Sequence, residues 1–114
     1  MAKDCLFCKI VNKEIDSDIV YEDDKVIVFK DINPQEPVHL LIVPKVHRES
    51  IMDLKKEDAE IIYHMVFVAQ EIAKKYNIDD KEKGFNLLNN YGKEGGQVID
   101  HLHVHFLAKS KPST

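Results

Sequence analysis

The chain has 114 residues, of which 44% are hydrophobic and 32% are charged, and its formal net charge is −4. This length and balance predict one domain, residues 1–114, with a single modest core. Acidic and basic residues are interspersed, which gives no support for a nucleic-acid partner. The longest apolar stretches, such as residues 40–43, are too short to span a bilayer, and the N-terminus carries no apolar signal-peptide run. We therefore expect a cytoplasmic protein with no membrane partner.

Short strands and turns are predicted on both sides of one long helix. Residues 4–12 suggest a short helix or turn, and a loop with two prolines at 31–37 interrupts the strands that follow. Five strands are predicted from runs of β-branched and apolar residues. In chain order they are residues 19–22, 26–29, 39–43, 84–89 and 101–107. Strands without βαβ alternation predict an α+β fold, with a five-stranded antiparallel meander sheet and one long helix.

The long helix, predicted over residues 56–77, carries two apolar stripes at helical spacing. The first stripe consists of Ala59, Ile62, Val66, Ala69, Ala73 and Tyr76. The second consists of Ile61, Met65, Val68 and Ile72. Two stripes are more than a helix on one sheet face requires. We expect one stripe to cover the sheet and the second to face a partner subunit; the alternative is a helix sunk deeply into its own core.

Cys5 and Cys8 are the two cysteines of the chain, in a C-x-x-C spacing. A structural disulfide is not expected in a reducing cytosol. This spacing has three possible interpretations: half of a zinc site, a thioredoxin-like redox pair, or a coincidence without function. The redox interpretation is weakened because the motif lies within the first ten residues, whereas a redox motif normally follows a strand.

Three histidines, His101, His103 and His105, alternate near the C-terminus and would lie on one face of a strand. This pattern indicates a metal site, a proton-transfer site or a nucleophile. A metal site built from these three alone is disfavoured, because alternate strand positions lie about 6–7 Å apart. The glycine-rich loop at 90–97 favours a phosphate ligand, since glycines expose backbone N–H groups. The other histidines, His39, His47 and His64, are interpreted as structural or surface residues.

Taken together, these segments resemble the histidine triad (HIT) family, and within it the branch of small nucleoside phosphoramidases. The resemblance covers nearly the whole chain, and its most specific part is the H-x-H-x-H block after Gly-Gln. The matching blocks begin with Cys5-Leu6-Phe7-Cys8-Lys9-Ile10, Tyr21-Glu22-Asp23-Asp24 and Phe29-Lys30-Asp31-Ile32-Asn33-Pro34-Gln35. They continue with Leu41-Ile42-Val43-Pro44-Lys45-Val46-His47, Asn90-Tyr91-Gly92 and the segment from Gly95 to His105.

The resemblance implies an α+β homodimer that binds purine mononucleotides and cleaves a bond at the α-phosphate. It implies that the catalytic residues are His101, His103 and His105. His103 matches the nucleophile that forms a nucleotidyl-histidine intermediate, which water then hydrolyses. His105 matches the residue that contacts the phosphate and the leaving group.

The resemblance also assigns the nucleotide pocket. Asn90, Gly96 and Gln97, together with His103 and His105, match phosphate-binding positions. Asp31 matches a ribose-binding carboxylate, although the residues alone leave open whether it caps a turn instead. Phe7, Phe29 and Ile32 match the walls of the base pocket.

Members of the family that carry C-x-x-C bind zinc, and the resemblance assigns the ligands to Cys5, Cys8, His47 and His101. A closed Cys₂His₂ set leaves no open coordination position, so this zinc would be structural. It would hold His101 and thereby brace His103 two residues away.

Two features depart from the phosphoramidase pattern. Val98 stands where many of these enzymes have a serine after the Gln, and the C-terminus lacks the aromatic and proline ending of the animal enzymes. The leaving-group preference is therefore open. The alternatives are a dinucleoside polyphosphate hydrolase and a nucleotide-binding or interaction protein whose catalysis is incidental.

Overall fold

A computed structural model describes residues 5–112. The helices and strands follow the predicted order, with small changes at their ends. The elements are α1 (Leu6–Val11), β1 (Ile19–Glu22), β2 (Val26–Lys30), β3 (Val38–Pro44), α2 (Ala59–Lys75), β4 (Asn86–Leu88) and β5 (Val104–Ala108). Two short 3₁₀ helices, Ile51–Asp53 and Lys56–Asp58, precede α2. The helix predicted from residue 56 thus begins with a 3₁₀ turn and becomes α-helical at Ala59.

The five strands form one antiparallel sheet in the order β1-β2-β3-β5-β4. The predicted α+β class, with a five-stranded antiparallel sheet and one long helix, is confirmed. The simple meander is wrong for the last two strands, because β5 lies between β3 and β4. All seven residues of β3 are buried, whereas all three residues of β4 are exposed. The apolar β3 therefore takes a central position, and β4 forms an edge.

Helices cover both faces of the sheet. On one face, Leu40 and Ile42 of β3 join Phe106 of β5 in a core beneath α2. On the other face, Leu41 and Val43 belong to a second core that includes residues of α1. Because β3 alternates between two covered faces, its sequence is apolar at every position except His39 rather than alternating with polar residues.

The buried stripe of α2 consists of Met65, Val68, Ala69, Ile72 and Ala73. The prediction that the second stripe faces a partner subunit is therefore wrong, since Met65, Val68 and Ile72 pack into the core of their own chain. The apolar side chains that remain exposed on this helix are Tyr63, Val66 and Phe67. Among residues 5–112, no helix has the length and apolar character needed to cross a bilayer.

The histidine run differs from the predicted strand in where pairing begins. Strand β5 begins at Val104, so His101 and His103 precede it. Backbone pairing is replaced there by contacts to loops: the Leu102 N–H donates to the carbonyl of Arg48, at 2.6 Å. The alternation still holds, because Phe106 packs beneath α2 while the imidazoles face the side of α1.

Candidate active site and metal centre

Four potential metal ligands meet where α1 begins. Cys5 is the N-cap of α1, and its Sγ accepts a hydrogen bond from the Cys8 N–H at 3.2 Å. The Nδ1 atom of His101 lies 3.2 Å from the Sγ of Cys5 and 3.5 Å from the Sγ of Cys8. His47, just after β3, places its Nδ1 atom 3.1 Å from that of His101 and 3.3 Å from the Sγ of Cys8. The cluster combines residues from three distant parts of the chain.

The geometry of this cluster fits a tetrahedral zinc ion. The four donor atoms all lie within 4.8 Å of one another. Zinc bonds of about 2.0–2.3 Å place neighbouring donors roughly 3.3–3.8 Å apart in a tetrahedron. Two thiols and two imidazoles are also the donor set of structural zinc sites. The predicted ligands Cys5, Cys8, His47 and His101 are thus brought together by the fold.

Hydrogen bonding prepares His101 to act as a ligand. Its Nε2–H donates to the carbonyl of Pro44 at 2.9 Å, so the lone pair of Nδ1 points into the cluster. Burial lowers the pKa of the fully buried His101 to about 4, which keeps the imidazole neutral as metal binding requires. Burial and the neighbouring Cys5 thiol raise the pKa of Cys8 to about 11. Binding of a cation at neutral pH would therefore release a proton from this thiol.

His103 is held in the opposite tautomer. Its Nδ1–H donates to the carbonyl of His101 at 2.7 Å, which leaves the lone pair on Nε2. The ring of Phe7 lies edge-on to the imidazole, with centroids 5.1 Å apart. The Nδ2 amide of Asn89 donates to the carbonyl of His103 at 2.9 Å. An oriented, neutral imidazole with a lone pair on Nε2 is the form needed for nucleophilic attack.

His105 presents a proton rather than a lone pair at Nε2, and its hydrogen bond with His39 determines this tautomer. The backbone N–H of Gln35 donates to Nδ1 of His39 at 3.0 Å, so the proton of His39 is on Nε2. This Nε2–H donates to Nδ1 of His105, with the two nitrogens 2.9 Å apart, and Nε2 lies 3.4 Å from Oδ2 of Asp31. Since His105 accepts at Nδ1, its own proton is on Nε2. Burial is the largest cause that lowers the pKa of His105, so this neutral form prevails at neutral pH.

The role of His39 was missed in the sequence, where it was interpreted as structural. His39 also forms a potential metal-binding set with Asp31 and His105, because one ligand atom from each lies close to the other two. The hydrogen bond that His39 accepts at Nδ1 argues against this, because Nε2 then keeps its proton and has no lone pair for a metal. A signal was available in β3, whose alternation places His39 on the same face as Leu41 and Val43.

The structure places the predicted base-pocket residues in different environments. Phe7 and Phe29 are buried and pack edge to face, with centroids 5.4 Å apart. Ile32 is 90% exposed, so nothing in the described chain covers it. Asp31 accepts a hydrogen bond from the Asn33 N–H at 2.8 Å, which is the turn-capping arrangement that the sequence left open.

The predicted phosphate-pocket amides hold the loop at 90–97 together. Asn90 donates from Nδ2 to the carbonyl of Gly95 at 2.8 Å. Gln97 donates from Nε2 to the carbonyls of Glu49 and Ile99, at 2.7 and 3.1 Å. Gly96 has a φ of +91°, a left-handed conformation that favours glycine. These residues therefore shape the loop that leads into the histidine run.

Comparison with known proteins places the chain in a family. A protein-family model described as "Scavenger mRNA decapping enzyme C-term binding" matches residues 4–114. The purine nucleoside phosphoramidase of Escherichia coli (strain K12) is 41% identical over 107 residues, which cover 94% of this chain and 88% of that protein. The 14 kDa zinc-binding protein of Zea mays is 43% identical over 105 residues, covering 90% of this chain and 79% of that protein.

A solved structure is similar to this chain in both sequence and fold. The histidine triad protein from Clostridium difficile is 45% identical, with a TM-score of 0.90, and the match covers 100% of this chain and 97% of that one. Both the sequence and the fold are therefore shared over essentially the full length. This chain belongs to the histidine triad family.

Proposed function

We propose that this protein is a nucleotide hydrolase of the purine nucleoside phosphoramidase type, cleaving the bond at the α-phosphate through a nucleotidyl-histidine intermediate. The observation that carries the proposal is the pairing of tautomers: His103 offers a lone pair at Nε2, and His105 offers an N–H. A nucleophile beside a hydrogen-bond donor is the arrangement that phosphoryl transfer to a side chain requires. The phosphoramidase relative supports the substrate class.

In this mechanism Nε2 of His103 attacks the α-phosphorus while the bond to the leaving group breaks. The Nδ1–H of His103 keeps its hydrogen bond to the carbonyl of His101. This hydrogen bond stabilises the positive charge that develops on the phosphorylated ring. The Nε2–H of His105 hydrogen-bonds the leaving atom or a phosphoryl oxygen, favouring departure as the leaving group takes up a proton from solvent. Water then attacks the phosphorus and gives a proton back to solvent, while the bond between phosphorus and Nε2 breaks; this releases the nucleoside monophosphate and restores the lone pair of His103.

We further propose that Cys5, Cys8, His47 and His101 hold a structural zinc ion, which the zinc-binding relative from Zea mays supports. When bound, the metal supplies no open coordination position for chemistry. Its effect on the site is to fix His101, whose carbonyl orients His103. Cys5 and Cys8 are free thiols, and thiol ligands favour a reducing compartment such as the cytosol.

Turnover of adenosine and guanosine 5′-phosphoramidates tests the main proposal. We expect a purine nucleoside monophosphate as product, and a covalent nucleotide on His103 when the reaction is quenched early. Preferential cleavage of dinucleoside polyphosphates would favour the neighbouring hydrolase class instead. Tight binding of purine monophosphates with no turnover of any substrate would favour a binding protein.

A homodimer is proposed from an apolar surface at β4 and α2. An open groove of about 260 Å³ is lined by Ile51, Leu54, Val66 and Leu87, among others. The edge strand β4 beside it is exposed and offers unpaired backbone groups. A second copy of the chain would cover both features, as closed symmetric association allows.

Substitution of Val66 and Leu87, two exposed residues that line the groove, by Glu should convert the dimer to a monomer in sedimentation experiments, because the charges would be buried in the interface. Gln70→Glu adds a charge at another exposed position of the same helix and should leave the dimer intact. A wild type that sediments as a monomer at micromolar concentration would contradict the proposal.

A further inference from the structure

Arg48 and Asp58 form an ion pair directly beside the metal cluster. The Nε and Nη2 atoms of Arg48 donate to Oδ2 and Oδ1 of Asp58, at 3.0 and 2.9 Å. This bidentate hydrogen bonding is the strongest arrangement that a guanidinium makes with a carboxylate. Asp58 is only 2% exposed, and its Oδ2 also accepts the backbone N–H of Lys55 at 2.9 Å. The pair therefore anchors Arg48 to the start of α2.

The remaining polar groups of Arg48 reach both histidine segments. Its Nη1 donates to the carbonyl of His47 at 3.0 Å, so the anchored side chain holds the peptide that follows this ligand. Its own carbonyl accepts the N–H of Leu102 at 2.6 Å. Leu102 stands between His101 and His103. Arg48 thus joins the segment of His47 to the segment that carries His101 and His103.

A charge on Asp58 is needed for this arrangement. The hydrogen bonds from Arg48 lower the pKa of Asp58, and those same bonds raise the pKa of Arg48. Both groups therefore stay ionised across the physiological range. A buried carboxylate at this position would be costly without its partner, so the side chain of Arg48 is restricted to one orientation.

We propose that Arg48 and Asp58 are positioning residues that set His47 against the His101–His103 segment, so that metal affinity and the orientation of His103 both depend on this ion pair. This inference rests on the proposed function. It goes beyond that function because neither residue is among the proposed metal ligands or nucleotide-pocket residues. A surface ion pair with no link to the site would contribute little to stability and nothing to metal binding.

Two variants test the proposal. Arg48→Lys keeps the charge but replaces the planar fork with a single ammonium group, which cannot hold both Asp58 oxygens and the carbonyl of His47. Asp58→Asn keeps the shape and an acceptor for Lys55 but loses the charge. The matched control is Glu71→Gln, which breaks the exposed ion pair of Glu71 with Lys74, far along α2.

Cobalt(II) is the probe, because thiolate ligands give it charge-transfer bands that report the geometry of the site. We expect both variants to bind cobalt roughly 10- to 100-fold more weakly, the range seen when outer-shell partners of metal ligands are removed. Their spectra should shift, whereas the control should match the wild type. Folded Arg48→Lys and Asp58→Asn proteins with wild-type affinity and spectrum would overturn the proposal. If Arg48→Lys does not fold, Asp58→Asn decides.

A second measurement separates this inference from the proposed function. The nitrogen chemical shifts of His103 in the imidazole NMR spectrum report which nitrogen carries the proton, without any substrate. We expect the Nδ1–H form to predominate in the wild type and the control, and to be mixed with the other tautomer in both variants. Cobalt that fails to bind the wild type would refute the proposed metal centre, and the His103 spectrum would then decide on Arg48 and Asp58. An unchanged His103 spectrum in the variants would overturn the inference in that case.

Discussion

The histidine face has two ends that use the same side chain in opposite ways. At the proposed metal end, the Nδ1 atoms of His47 and His101 lie 3.1 Å apart and close to two thiols. At the proposed catalytic end, His39 and His105 are joined donor to acceptor at 2.9 Å. Potential metal ligands that converge favour a cation, whereas an ordered chain of donors and acceptors favours proton placement.

The backbone partner of each imidazole causes the difference. His101 donates from Nε2 to Pro44, and His103 donates from Nδ1 to His101, so the two rings present opposite nitrogens. Neither choice depends on the residue type. Two histidines only two positions apart therefore acquire different chemistry from the carbonyls that the fold places beside them.

The largest expected effect comes from removing the proposed nucleophile. His103→Ala should lower turnover by roughly three orders of magnitude or more and abolish covalent labelling, because no neighbour can take over the bond to phosphorus. Metal content should stay at the wild-type level, since His103 is not a ligand. Near-native turnover of the alanine variant, measured with a phosphoramidate substrate, would show that the two ends have been assigned wrongly.

The next effect should be seen at the metal end. Cys5→Ser should lose the metal and lower the melting temperature by at least about 10 °C, because metal binding contributes folding free energy and each kcal/mol is worth about 4 °C in a domain of this size. Metal analysis and thermal unfolding measure this, with chelator-treated wild type as the reference. Turnover should fall far less than in His103→Ala. A metal-free wild type of unchanged stability would contradict the assignment.

Acid should lower the stability of the metal-free protein through the buried His101, which lies at the proposed metal end. Its pKa is lowered from 6.5 to about 4, chiefly by burial, so in chelator-treated protein the unfolded state takes up a proton first as the pH falls. The free energy of unfolding should therefore be fully retained above pH 6.5 and should decrease towards pH 4, by roughly 2–3 kcal/mol. Denaturant unfolding of His101→Asn should show a shallower decrease over the same interval. Equal slopes would mean that His101 is protonated in the folded state.

The smallest expected effect concerns the catalytic end. His39→Leu removes the donor to His105, which should lower kcat about tenfold with little change in KM, less than the roughly 100-fold or more lost with a direct proton donor. His39→Gln retains an amide N–H and should recover most of the activity. Steady-state kinetics of both variants test this, and equal activities would show that the hydrogen bond from His39 has no catalytic role.

The local pattern of the chain allowed most elements to be predicted, because apolar periodicity and turn residues act over a few positions. The hairpin at β1 and β2, the buried β3 and the helix α2 follow from such patterns. The side of α2 that faces the core did not, since Met65 and Val66 are equally apolar. The packing of α2 against the sheet decided which of them is buried.

By itself, the sequence determined the family, the class of fold and the residue types available for chemistry, because these follow from composition, periodicity and motif order. Only the tertiary structure decided that Cys5, Cys8, His47 and His101 place their potential ligand atoms within 4.8 Å of one another, that His39 adjoins His105, and that β5 lies inside the sheet. The physical reason is distance along the chain. Contacts between residues separated by 39 to 96 positions depend on the packing of whole elements, which no local pattern encodes.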